Sequence, residues 1–117
     1  MLFFPKQLSA TARSLLEGPD NIAVSIASFW EIMIKQQIGK FGVKQTSAQE
    51  LFEACKLLNI SLLQIEIEHL NLIRALPRYK DHGDPFDRLI ICQAMYEHLP
   101  LITSDGKMDR YGVNIIW

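Results

Sequence analysis

An α/β fold with a mostly parallel sheet between helices is predicted by three observations. Short apolar runs of strand length alternate with segments of helical periodicity. At least one strand-like run feeds straight into a helix, and recognisable caps mark where helices begin.

Leu8, Ala12, Leu15 and Leu16 recur at helical spacing behind a capping Ser9, and Gly18-Pro19-Asp20-Asn21 stops that helix. Ile22-Ala23-Val24-Ser25 reads as a buried strand. Ile26, Phe29, Trp30, Met33, Ile34 and Ile38 then continue at helical spacing to Gly39, with Phe29 and Trp30 as core residues of one apolar stripe. Ser47-Ala48-Gln49-Glu50 has the capping-box pattern ahead of Leu51, Phe52, Cys55 and Leu58, and Asn59 ends the helix. The run Ile60 to Ile65 suits a second strand. Leu70, Ile73 and Leu76 mark a short helix closed by Pro77, and a polar loop runs from Arg78 to Gly83. Asp84-Pro85 starts the next helix, which extends to about His98. Leu101 to Thr103 and Val113 to Trp117 read as strands on either side of a polar loop, Ser104 to Arg110.

At 117 residues the chain has room for one core, so a single domain over 1–117 is expected. Twelve Lys and Arg balance thirteen Asp and Glu, for a net charge of −1, so a nucleic-acid site must be a local basic patch. Cys55 and Cys92 lie in apolar helical patterns without zinc-type spacing and read as reduced core thiols. Met1 to Pro5 is too short for a signal peptide, and no apolar run approaches the roughly 20 residues that span a bilayer. A soluble cytoplasmic protein with no membrane partner is expected.

Ligands of parallel α/β sheets bind beyond the carboxyl ends of the strands. Three acids fall there: Glu31 in the helix after Ser25, Asp87 at the start of another helix, and Asp105 after Leu101-Ile102-Thr103. A carboxylate cluster without cysteine ligands suits Mg²⁺ or Mn²⁺, ions that favour phosphate substrates, and phosphodiester hydrolysis is the natural reaction. Each acid also has a structural reading. Ser28-Phe29-Trp30-Glu31 matches a capping box, Asp87 three residues after Asp84 suits a helix dipole, and Asp105 and Asp109 suit turns. His82, flanked by Asp81 and Asp84, reads as a solvated loop histidine with a proton shuttle as the alternative; His69 and His98 read as surface residues. Lys35, Lys40, Arg88, Lys107 and Arg110 are the candidate phosphate contacts.

Ser25-Ile26-Ala27-Ser28-Phe29-Trp30-Glu31-Ile32, with Ile34-Lys35 and Ile38-Gly39-Lys40, resembles the second acidic motif of VapC-like PIN-domain toxins. Leu76-Pro77, His82, Asp84-Pro85-Phe86-Asp87-Arg88-Leu89-Ile90 and Gln93-Ala94 resemble the third. Thr103-Ser104-Asp105, Tyr111-Gly112 and Ile115-Ile116-Trp117 resemble the fourth motif and the final strand. The resemblance runs from about Leu8 to Trp117. It implies a PIN-like three-layer sandwich and a Mg²⁺- or Mn²⁺-dependent endoribonuclease, held by a cognate antitoxin and commonly a homodimer. Glu31, Asp87 and Asp105 become catalytic and metal-binding candidates, joined by Asp109 as a ligand. Ser28, Lys35, Arg88, Thr103 and Lys107 become substrate-binding candidates.

One feature of the family pattern has no counterpart. A central first strand ending in Asp is absent; Met1 to Pro5 matches only the tail of the helix that follows it, and Asp20, the first Asp, sits in a turn. This implies an impaired enzyme, or alternatively a non-catalytic relic that dimerises or binds the antitoxin. A phosphoacceptor signalling domain is a third reading, without a convincing acceptor Asp.

Overall fold

The computed structural model describes residues 9–19, 21–39 and 45–117. Helix α1 spans Ala10–Glu17, β1 Ile22–Ser25, α2 Ile26–Gln37, α3 Ala48–Leu57, β2 Ile60–Leu63, α4 Ile67–Ala75, α5 Pro85–Glu97, β3 Leu101–Ile102 and β4 Ile115–Ile116, with a 3₁₀ helix at Gly106–Tyr111 before β4. The class is α/β, and every strand pair is parallel, as the alternation predicts. The strands form two two-stranded sheets, β1 with β2 and β3 with β4. The expected matches at Met1 to Pro5, Leu8, Asp20 and Lys40 lie outside the described residues.

Two compact units divide these elements. One is Asn21–Gln64. Here β1 and β2 pair from Ile22 opposite Ile60 to Ser25 opposite Leu63. Ser25 ends the strand and caps α2 at once, its Oγ accepting from the Ala27 N–H at 3.1 Å, so no loop separates strand from helix. The capping-box reading of Ser28 to Glu31 therefore falls, because α2 begins three residues earlier. A second expectation is also corrected: Phe29 is buried, but Trp30 is 57% exposed. The buried positions of α2 are Ala27, Ser28, Phe29, Ile32 and Gln36, a stripe turned one residue from the apolar one. Gln36 earns its burial with hydrogen bonds. Its Oε1 accepts from the Thr46 N–H at 3.1 Å and its carbonyl accepts from Gln45 Nε2 at 3.3 Å. Ser47 and Glu50 form the expected capping box of α3, each side chain accepting from the other's backbone N–H, and such a cap contributes about 1 kcal/mol. Asn59 takes the left-handed conformation that Asn tolerates and turns the chain from α3 into β2.

The other unit is Ile65–Trp117 together with the N-terminal segment that ends in α1. Ser9 caps α1 as expected. Helix α4 starts at Ile67, before the predicted Leu70, and its face is set by His69, which is wholly buried rather than a surface residue. His69 Nδ1 accepts from the Glu66 N–H at 2.9 Å, which leaves Nε2–H to donate to Glu97 Oε2, also at 2.9 Å. One ring thus caps α4 and ties it to the end of α5. Leu76, Ile91, Cys92, Ala94, Leu101, Met108, Tyr111 and Val113 form the core. Ser104 to Arg110, expected as a loop, instead runs into the 3₁₀ helix, which ends at Gly112 with φ 89°, a value that glycine adopts freely. Strand β4 is shorter than the predicted Val113 to Trp117.

Candidate functional site

Helix α5 begins as its sequence demands. Asp84 Oδ1 accepts from the N–H groups of Phe86 at 2.8 Å and Asp87 at 3.2 Å, and Pro85 fills the position that needs no N–H. This fixes Asp87 in the first turn, where a carboxylate meets the positive end of the helix. Arg88, a candidate substrate contact, donates to the carbonyls of Pro77 at 2.7 Å and Leu76 at 3.3 Å, joining the start of α5 to the chain leaving α4.

Beyond β3, Thr103 Oγ1 accepts from the Asp105 N–H at 3.1 Å, so this predicted substrate-binding hydroxyl shapes the turn that presents Asp105. Asp105 Oδ1 caps the 3₁₀ helix, accepting from the Lys107 N–H at 3.0 Å. Its structural reading is therefore correct for one oxygen only. The second, Oδ2, lies 3.3 Å from His82 Nε2, and Asp87 Oδ2 lies 3.4 Å from the same atom.

His82 is the residue that sequence reasoning misplaced. It is 6% exposed rather than solvated, held by an antiparallel bridge to Tyr79 and by Tyr111. Its Nδ1 lies 2.8 Å from the Tyr111 hydroxyl, which itself donates to the His82 carbonyl at 3.2 Å. Its position inside the third motif was the available signal, and the polar neighbours Asp81 and Gly83 hid it. Among the described residues, His82, Asp87 and Asp105 are the group with metal-ligand spacing, their ligand atoms all within 4.8 Å of one another.

The remaining candidates are placed as follows. Glu31 stands half-buried on α2 of the Asn21–Gln64 unit, 2.8 Å from Lys35 one turn on. Ser28, on the same helix, is 1% exposed, and its Oγ has no hydrogen-bond partner among the described residues. Asp109, predicted as a further ligand, is exposed in the 3₁₀ helix and falls outside the metal-spaced group. Lys107 Nζ lies 3.7 Å from Asp81. Arg110 packs over the Tyr79 ring and donates to both Asp81 oxygens, at 2.6 and 3.3 Å. A groove of about 260 Å³ beside His82 is lined by Ile73, Arg78, Tyr79, Gly83, Pro85 and Arg88.

The chemistry of the donor set fits a divalent cation. Two carboxylate oxygens and an imidazole nitrogen that has no hydrogen-bond partner among the described residues face a common point. Cysteine chemistry is disfavoured, because burial pushes both the Cys55 and Cys92 thiols up, the latter against the opposing pull of Arg88.

The PIN domain family model matches residues 1–114. The chain is a member of the PIN domain family. No curated protein sequence matches it. PIN domains are generally nucleases that depend on divalent metal and bind RNA. In this PIN domain, a nuclease site would draw on the donors at the start of α5 and after β3. Among the described residues no helix is long and apolar enough to cross a membrane.

Beside the site, Arg110 holds the Asp81 carboxyl below the ordinary carboxylate range by hydrogen bonding and charge. A carboxyl lowered in the folded state contributes stability above its unfolded value and loses it as pH falls through the folded one. Asp81→Asn should therefore lower Tm slightly at pH 7, where the pair contributes, and meet the wild type at acid pH, so that the acid limb of a plot of Tm against pH is flatter. The pair is exposed, so 1 M salt should shrink the wild-type limb as well. Identical limbs in both proteins would show that the pair contributes nothing.

Proposed function

We propose that this PIN domain is a metal-dependent endoribonuclease, the toxin of a toxin–antitoxin pair. The observation that carries the reading is the convergence of Asp87, Asp105 and His82 from the start of α5, the turn after β3 and the Tyr79–His82 turn. In this reading Asp87 and Asp105 hold Mg²⁺ or Mn²⁺, and Glu31 on α2 and Asp109 in the 3₁₀ helix are the other acids to be tested. The bound ion would supply a hydroxide near neutral pH and neutralise charge on the scissile phosphate.

The chain's own groups bind and orient the RNA. Arg78 lines the groove beside His82 and offers a phosphate contact. Lys35 and Lys107 supply positive charge next to Glu31 and within the 3₁₀ helix; Thr103 holds the turn before Asp105 and Arg88 ties the start of α5 to the chain leaving α4, while Ser28 is a substrate-binding candidate on α2. Leu57 and Leu58 at the end of α3, and Ile67 and Leu70 on α4, leave apolar surface in water, which supports a protein partner: the antitoxin or a second copy of the chain. Expression in the cytoplasm goes with this role.

The test is cleavage of a mixed RNA substrate by the purified full chain. Cleavage should stop on treatment with EDTA and return with excess Mn²⁺. Cleavage that persists without metal overturns the mechanism. Mn²⁺ binding without cleavage assigns the chain the non-catalytic role instead.

A further inference from the structure

We propose that His82 is itself a metal ligand, so that the site is a mixed nitrogen–oxygen centre selective for Mn²⁺ over Mg²⁺. The inference rests on the nuclease reading for its cation and goes beyond it in naming the ligand and the ion.

The Tyr111 hydroxyl has one proton, and its donation to the His82 carbonyl at 3.2 Å leaves the hydroxyl oxygen to accept. With the hydroxyl proton given to the carbonyl, the 2.8 Å contact between that oxygen and Nδ1 is made by a proton on Nδ1, and this is the tautomer we assign. In the neutral ring this leaves a lone pair on Nε2, and a lone pair is what a metal takes. Tyr111 acts here as a positioning residue, fixing both the tautomer and the orientation of the ring.

Nε2 stands 3.3 Å from Asp105 Oδ2 and 3.4 Å from Asp87 Oδ2, with no hydrogen-bond geometry to either. Neighbouring ligand atoms around an octahedral ion with bonds of about 2.1 Å are about 3.0 Å apart, and around a tetrahedral ion about 3.4 Å. Both distances from Nε2 match ligands sharing an ion, and all three ligand atoms lie within 4.8 Å of one another.

His82 is 6% exposed, and a buried nitrogen facing two carboxylates without a hydrogen-bond partner is costly unless a cation satisfies it. Imidazole is a poor ligand for Mg²⁺, which demands oxygen and dehydrates reluctantly, so replacing one oxygen donor by nitrogen turns the site away from Mg²⁺ and towards divalent transition ions, of which Mn²⁺ is the one that also accepts carboxylates and water.

Pulsed electron paramagnetic resonance of the full chain loaded with Mn²⁺ reads the ligand directly, since a coordinated imidazole gives a ¹⁴N coupling that carboxylates cannot. The coupling should be present in the wild type and in His98→Asn, which alters the exposed histidine at the end of α5, and absent in His82→Gln. Titration calorimetry should show the Mn²⁺ affinity of His82→Gln falling by about 10- to 100-fold, with a much smaller loss for Mg²⁺. Should His82→Gln fail to fold, the wild-type and His98→Asn spectra still decide. Mn²⁺ bound without nitrogen coupling overturns the proposal and leaves an all-oxygen nuclease site standing. No binding of either ion by the wild type overturns both.

Discussion

Asp87→Asn should abolish metal-dependent RNA cleavage, with a loss of about 100-fold or more, the scale seen when one charge-stabilising group leaves a catalytic site. The substitution keeps the shape of the side chain and removes its charge, so the capped start of α5 survives. Two stability terms then oppose one another. Loss of a carboxylate in the first helical turn costs about 0.3–1 kcal/mol, whereas relief of repulsion between Asp87 and Asp105, whose oxygens share one histidine, returns a similar amount. The variant should therefore melt within a few degrees of the wild type in the absence of metal. Mn²⁺ at about 100 times its Kd should stabilise the wild type by about 2.7 kcal/mol and leave the variant almost unmoved. Undiminished cleavage would remove Asp87 from the site. A large loss of stability without metal would make it a folding residue.

Such a site draws on features that are local in sequence, and these are the ones the sequence made legible. The Asp84-Pro85 start of α5, the Ser47–Glu50 capping box, the Asn59 turn and the β1-to-α2 junction each depend on residues within a few positions of one another, and each stands where it was read. The placement of Asp87 in the first turn of α5 and of Asp105 after β3 was legible for the same reason. The misreadings share a different cause, a polar side chain in the buried stripe. On α4 the stripe is His69, Leu72, Ile73 and Leu76, an ideal i, i+3, i+4, i+7 pattern that becomes visible only once a histidine is accepted as core. Reading Leu70 in its place turns the face towards a residue that is half in water. On α2, Ser28 and Gln36 occupy the buried stripe, and Trp30 lies outside it. His82 belongs to the same class. Its burial depends on Tyr111, twenty-nine residues away, and no local pattern encodes that partner.

Ile91→Ala should give the largest loss of stability. Ile91 is fully buried in the cluster formed with Leu76, Leu101, Met108 and Tyr111, and truncating a buried Ile to Ala removes its transfer energy and leaves a cavity, together costing about 2–5 kcal/mol. A domain has only about 5–15 kcal/mol to lose, and for a chain of this size each kcal/mol lowers Tm by about 4 °C. Ile91→Val should cost only about 0.5–1.5 kcal/mol, and Leu57→Ala, at a position 88% exposed, should change stability by less than about 0.5 kcal/mol. Denaturant unfolding of the full chain measures all three. The consequence reaches the site, because Ile91 lies one turn beyond Asp87 on the same face of α5, while Tyr111 both packs in that core and orients His82. A cavity at Ile91 loosens the supports of two of the three proposed ligands at once. Mn²⁺ affinity should accordingly fall in Ile91→Ala under conditions where the variant remains folded, and hold in Leu57→Ala. Equal Mn²⁺ affinity in the folded Ile91→Ala variant would show that the core does not position the site.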